Sequence, residues 1–221
     1  MNKNIVSTVI AATLLAAGFT ASVSAHQAGD IIVRAGAVVV APNESSQDVV
    51  IPSANLGEFK VNNNTQVGLN FGYMLTDNIG VELLAATPFS HKISLPADGV
   101  GEIAETKQLP PTLVAQYYFG NSESVVRPYV GVGVNFTNFY DSDFNSHGES
   151  LGLSKLSMSN SWGLAAQVGL DYQVNKNWLV NASIWYAKIS TDVKFTAGNQ
   201  RYEFETDIDP WVYMISVGYT F

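Results

Sequence analysis

The stretch Trp211–Phe221, WVYMISVGYTF, decides the fold. Trp211, Tyr213, Ile215, Val217, Tyr219 and Phe221 alternate with Val212, Met214, Ser216, Gly218 and Thr220. Side chains of a strand point to opposite faces in turn, so one face is wholly large and apolar while the other tolerates water. The chain then stops on an aromatic residue. Strands of outer-membrane β-barrels have this form, with apolar side chains facing lipid and aromatics at the interface.

The other end of the chain agrees. Lys3, the apolar run Ile5–Phe19 and the small residues Val23-Ser24-Ala25 have the form of a secretory signal peptide cut after Ala25. The run is shorter than the ~20 residues of a transmembrane helix. Residues 1–25 are therefore expected to be a leader, and 26–221 the folded barrel.

Between these ends, alternation marks eight strands, near 30–40, 65–75, 78–88, 109–119, 126–139, 161–174, 177–189 and 210–221. Each approaches the ~9–11 tilted residues that cross a bilayer. Three links are short: Thr76-Asp77-Asn78, Gly120–Val125 and Asn175-Lys176. Four are long and polar, over 41–64, 89–108, 140–160 and 190–209. The expected fold is all-β: an eight-stranded antiparallel transmembrane barrel, with short periplasmic turns, long external loops and both mature termini periplasmic.

Composition excludes other classes. Charged residues make up 14% against 47% hydrophobic, and the net charge is −8, which disfavours nucleic acid as a partner. The absence of cysteine excludes disulfides and thiol chemistry. His26, His91 and His147 are the only histidines, and none is expected in the middle of a strand. That scatter argues against a serine–histidine–carboxylate hydrolase, so no enzyme, catalytic residue or cofactor is expected. The acidic loop Asp141–His147 reads as solvated rather than metal-binding, and Gly131-Val132-Gly133 as a barrel strand relieving crowding rather than a nucleotide loop.

Parity assigns the lumen. Gln66, Gly68, Asn70 and Gly72 face inward against Val67, Leu69, Phe71 and Tyr73. Gly131, Gly133 and Asn135 do so in the fifth strand, and Gln167, Gly169 and Asp171 in the sixth. No lysine or arginine falls on the lipid face of these segments, where one near the midplane would cost ~2–4 kcal/mol. Large apolar side chains also point inward. They either simply fill the barrel or line a channel or binding pocket, in which case Leu84 and Trp185 are the expected constriction, with Ala86, Val114, Tyr118, Phe139 and Met214 completing an apolar wall. Arg34, Glu82 and Asp171 share a low depth and are expected to form a charged network closing the periplasmic floor. Pro88, Pro110 and Pro111 mark the expected lateral opening, because proline cannot donate to a ladder.

The segments Asn63–Ile93 (NNTQVGLNFGYMLTDNIGVELLAATPFSHKI) and Leu109–Gly120 (LPPTLVAQYYFG) carry a resemblance, together with 127–148, 162–186 and Asp209-Pro210-Trp211. They resemble the outer-membrane protein W (OmpW) family over nearly all of 26–221. The resemblance implies an outer-membrane barrel with an apolar interior that passes small hydrophobic solutes. It also leaves the alternative of a non-conducting structural or receptor barrel (a surface antigen, or a phage or colicin receptor) acting through its loops. Expected partners are outer-membrane lipids, small hydrophobic solutes and, through the last strand ending at Phe221, the barrel-assembly machinery. Oligomeric state is left open.

Overall fold

A computed structural model describes residues 26–51 and 54–221. The expected leader, 1–25, lies outside the described residues. Eight long strands form the wall: β1 Ile31–Ala41, β2 Asn64–Met74, β3 Ile79–Ala86, β4 Thr112–Tyr118, β5 Val126–Phe144, β6 Ser161–Gln173, β7 Trp178–Ala187 and β8 Trp211–Thr220. Each pairs antiparallel with its sequence neighbour. β1 pairs with β8 from Ile32↔Thr220 to Ala41↔Trp211, which closes the barrel so that every wall strand has a hydrogen-bonded neighbour on both sides.

The outer surface is what lipid requires. Trp162 and Leu164 are each 74% exposed and Val132 69%, a density of bare apolar surface that water would not tolerate. Two belts of aromatics bound this surface. Tyr117, Phe119, Trp178, Tyr219 and Phe221 cluster in edge contacts near the short turns. Phe136 with Trp162 and Tyr186 with Trp211 form tilted ring pairs toward the long links. Aromatic girdles at both interfaces mark a membrane barrel.

Glycine appears inside the barrel where neighbours come too close for a side chain. A Cβ on Gly133 would lie 1.9 Å from the Leu113 carbonyl oxygen, and one on Gly169 2.2 Å from the Tyr129 ring. The second case frees the lumen for that ring to lie across it.

The structure corrects the expected loops. The fifth strand was expected to end at Phe139 and runs on to Phe144; the fourth begins at Thr112 rather than Leu109, past Pro110-Pro111. The long links are mostly strands. Phe89–Leu95 pairs with Gly101–Leu109, Ser190–Ala197 with Gln200–Asp207, and Leu153–Met158 with Ser190–Ala197. These hairpins form a crown above the barrel with its own apolar core, including Phe59, Ile93, Leu95, Ile103, Leu153 and Phe195. Residues of alternating character that lack a membrane to face bury their apolar side against one another instead. His91, expected off any strand, therefore sits in the middle of one and is 2% exposed.

Candidate functional site

The lumen divides by depth. Near the short turns, Arg34 of β1 lies between Glu82 of β3 and Asp171 of β6, and none of the three reaches solvent. Its Nη1 donates to Glu82 Oε2, and its Nη2 to Asp171 Oδ2 at 2.5 Å and to the Tyr118 hydroxyl at 3.0 Å. The carboxylates keep their remaining oxygens occupied. Gln167 Nε2 donates to Glu82 Oε1 at 3.0 Å, and Asn181 Nδ2 to Asp171 Oδ1 at 2.7 Å. Gln116 donates to Gln167 Oε1 at 2.8 Å and accepts from the Tyr118 hydroxyl at 2.9 Å. Buried charges survive when they are paired and hydrogen-bonded in this way.

Two further groups sit at this end. Arg127 of β5 donates to the carbonyls of His26 at 2.7 Å and Asp77 at 2.6 Å, and its guanidinium stacks over the Tyr118 ring at 5.3 Å. The His26 ring is buried, with Nε2 3.2 Å from Asp171 Oδ2. An apolar layer of Ile32, Met74, Leu179, Tyr118 and Tyr129 completes this part of the lumen. Strands β1 and β3–β7 all contribute, so the network crosses the lumen from wall to wall.

One turn of the pleat higher, the same inward rows become hydrocarbon. Leu84, Val114, Phe139, Trp185 and Met214 pack in one cluster with Val38, Val40, Phe89, Ile189 and Ile208, and Ala86 and Val212 pack against it. Within it lies a cavity of about 30 Å³, lined by Leu84, Ala86, Phe89, Trp185 and Ala187 among others. The Trp185 indole N–H is satisfied by the Ser183 hydroxyl at 3.2 Å.

The expected site residues are therefore placed as follows. Arg34, Glu82 and Asp171 meet. Leu84, Ala86 and Trp185 line one cavity, and Val114, Phe139 and Met214 join the surrounding cluster. Tyr118 is a correction: it belongs to the floor, because the Arg34 guanidinium and Gln116 draw its hydroxyl down. The sequence reading missed Arg127 and Tyr129, although both share the inward parity of Gly131 and Asn135. It missed Phe89 and Ile208 because they lie in links read as polar, and passed over Ile189 at the end of the seventh strand although it shares the inward parity of Trp185 and Ala187. His26 had no strand to give it a parity.

Gln108 of the crown hairpin lines the cavity, and His91 of the same hairpin contacts it. His91 Nδ1 lies 2.7 Å from the Asn62 carbonyl oxygen and Nε2 lies 3.0 Å from Gln108 Nε2. Burial holds the imidazole below the usual histidine pKa, with the Asn62 bond opposing in part.

Comparisons with known proteins agree with this architecture. A model of the OmpW family matches residues 27–221. Outer membrane protein W of Vibrio cholerae serotype O1 is 52% identical over 217 residues, spanning 97% of this chain and 99% of that protein. The crystal structure of the outer membrane protein OprG from Pseudomonas aeruginosa superposes with a TM-score of 0.84 at 42% identity, covering 90% of this chain and 99% of that one. The dibenzothiophene metabolism operon protein PahQ of Pseudomonas aeruginosa is 27% identical over 169 residues, 75% of each protein.

Proposed function

This chain belongs to the OmpW family of outer-membrane proteins, and from that premise we propose that its upper lumen passes small hydrophobic solutes from the cell exterior sideways into the membrane. The barrel lies in the outer membrane of a Gram-negative cell. The reading takes residues 1–25 as a leader removed after Ala25, and the strand ending at Phe221 as the part offered to the barrel-assembly machinery.

The observation that carries the reading is the apolar cluster around Leu84 and Trp185, directly above a floor closed by ion pairs. Hydrocarbon walls favour an apolar solute by roughly 25 cal/mol per Å² buried and offer an ion nothing in place of its hydration. The cavity is smaller than a one-ring solute, so Leu84, Phe89 or Trp185 must turn aside on entry.

From there two exits differ in cost. Downward movement requires Arg34 to leave two buried carboxylates, and breaking such a pair costs about 3–5 kcal/mol. Sideways the wall is thin. The β3–β4 ladder ends at Leu84↔Thr112, and past it stand Pro110 and Pro111, which have no N–H to give. Ala86 and Pro110 line the cavity on the inside, and Ala86 and Pro111 line a cleft on the outer face. Similarity to PahQ, named for the metabolism of a polycyclic apolar sulfur compound, supports the same solute class.

Crystals of the barrel soaked in bromobenzene provide the test. The expected result is an anomalous bromine peak between Leu84 and Trp185. Bromine confined to the lipid-facing surface would count against the reading.

A further inference from the structure

The cavity wall carries one polar atom with no partner. Gln108 lines the cavity and is 2% exposed, yet its Oε1 makes no hydrogen bond among the described residues. Its neighbours across the two ladders are Phe89 and Phe139, so no other polar side chain faces it in register. The other polar side chains lining the cavity are engaged. Thr112 Oγ1 donates to the Pro110 carbonyl at 3.1 Å and accepts from Asn135 Nδ2 at 2.8 Å, and Asn135 Oδ1 accepts from the Thr137 hydroxyl at 2.7 Å.

The chemistry of the bare atom follows from a chain of hydrogen bonds. The Asn62 carbonyl can only accept, so His91 Nδ1 must carry the proton. In the neutral ring Nε2 is then a lone pair, and its partner at 3.0 Å must donate. That fixes the Gln108 amide with its NH₂ toward His91 and its carbonyl oxygen left over. A buried carbonyl without a donor has lost its water and gained nothing in exchange. Water would relieve it poorly, since an ordered water keeps about 3 hydrogen bonds and most of this wall is hydrocarbon.

We infer that Gln108 is a specificity-determining residue, selecting compact apolar solutes that carry a single hydrogen-bond donor, such as an alcohol or phenol, over hydrocarbons and ethers of the same size. The inference rests on the reading of the upper lumen as a solute path. The apolar body of such a solute replaces water against Leu84, Phe89 and Trp185, while its hydroxyl donates to Gln108 Oε1. An ether brings only an acceptor to an acceptor.

Benzyl alcohol and anisole are isomers that differ in this one respect. Their binding to the full barrel in lipid nanodiscs at neutral pH can be read from the Trp185 indole resonance, with free solute measured so that lipid partition drops out. Benzyl alcohol is expected to bind about tenfold more tightly than anisole, the value of one well-made hydrogen bond to a buried group. Gln108→Leu should bring the two within about twofold while anisole still binds. Equal binding of the isomers by the unaltered barrel would mean that water serves Gln108. It would overturn the inference and leave the apolar path standing. Binding of neither isomer would overturn both. The comparison within the unaltered barrel decides even where Gln108→Leu fails to fold, and Gln108→Met gives a second variant.

Discussion

The inward rows of the same eight strands build two unlike regions. In β3, Glu82 belongs to the floor and Leu84, the next inward residue, to the apolar cluster. In β7 the change runs from Asn181 through Ser183 to Trp185, and in β1 from Arg34 to Val38. Below, each charged group has partners on other strands, and the interior is held by directional bonds. Above, the groups fill space and leave a small void. Alternation therefore decides which side of the wall a residue faces, while its chemistry at a given depth decides whether the lumen is sealed or yielding. A seal needs exact partners; a path for apolar solutes needs walls that can move without breaking bonds.

The sharpest way to break this contrast is to remove the cation. Arg34→Leu strands two carboxylates in a space without water, and should lower the stability of the lipid-reconstituted barrel in urea by about 3–5 kcal/mol. Adding Glu82→Gln and Asp171→Asn to that variant should recover part of the loss, because the penalty is that of unpaired charge. A loss under ~1 kcal/mol for Arg34→Leu would mean that the floor is wet and not sealed.

Leu84→Ala tests the upper region by the same unfolding measurement. It should cost about 2 kcal/mol, the low end for a buried leucine, because the side chain already borders a void and its neighbours can relax into the gap. A cost equal to that of Arg34→Leu would erase the distinction between directional and space-filling interiors.

Much of the barrel was legible in the sequence. The parity of Gln66 to Gly72, of Gly131 to Asn135 and of Gln167 to Asp171 is a local property, fixed by the pleat and the lipid. It brought Arg34, Glu82 and Asp171 to one depth before their contacts were known. Tyr118 was read by parity as part of the apolar wall, because parity says nothing of where a phenol's hydroxyl will find its partner. The crown was missed for a different reason. Phe89, His91, Ile93 and Leu95 alternate as regularly as a wall strand, but Ser90, Lys92 and Ser94 between them made the segment read as polar loop. Above the membrane the outward residues meet water, so a buried strand there looks hydrophilic by composition. His26 was illegible because its position depends on Arg127 and Asp171, distant in sequence.

A smaller effect sharpens the line between barrel and crown. The Cε1–H resonance of His91 should titrate with a midpoint below the ordinary histidine value near 6.5. The unfolded segment then takes up a proton before the folded one does. Crown stability should be full above the unfolded pKa and decline as pH falls through the folded one. A midpoint at or above the ordinary value would show that the imidazole is solvated and the hairpin open.

The most direct test of the sealed floor beneath an apolar path is solute uptake into liposomes bearing lipopolysaccharide in the outer leaflet, where unaided passage is slow. Toluene and glycerol would be compared in liposomes with the unaltered barrel, with a folded Leu84→Arg variant and with no protein. Entry of toluene well above the protein-free rate, no gain for glycerol, and loss of the toluene gain in Leu84→Arg is the expected result. Toluene uptake equal to that of empty liposomes, or glycerol passing as readily as toluene, would contradict it.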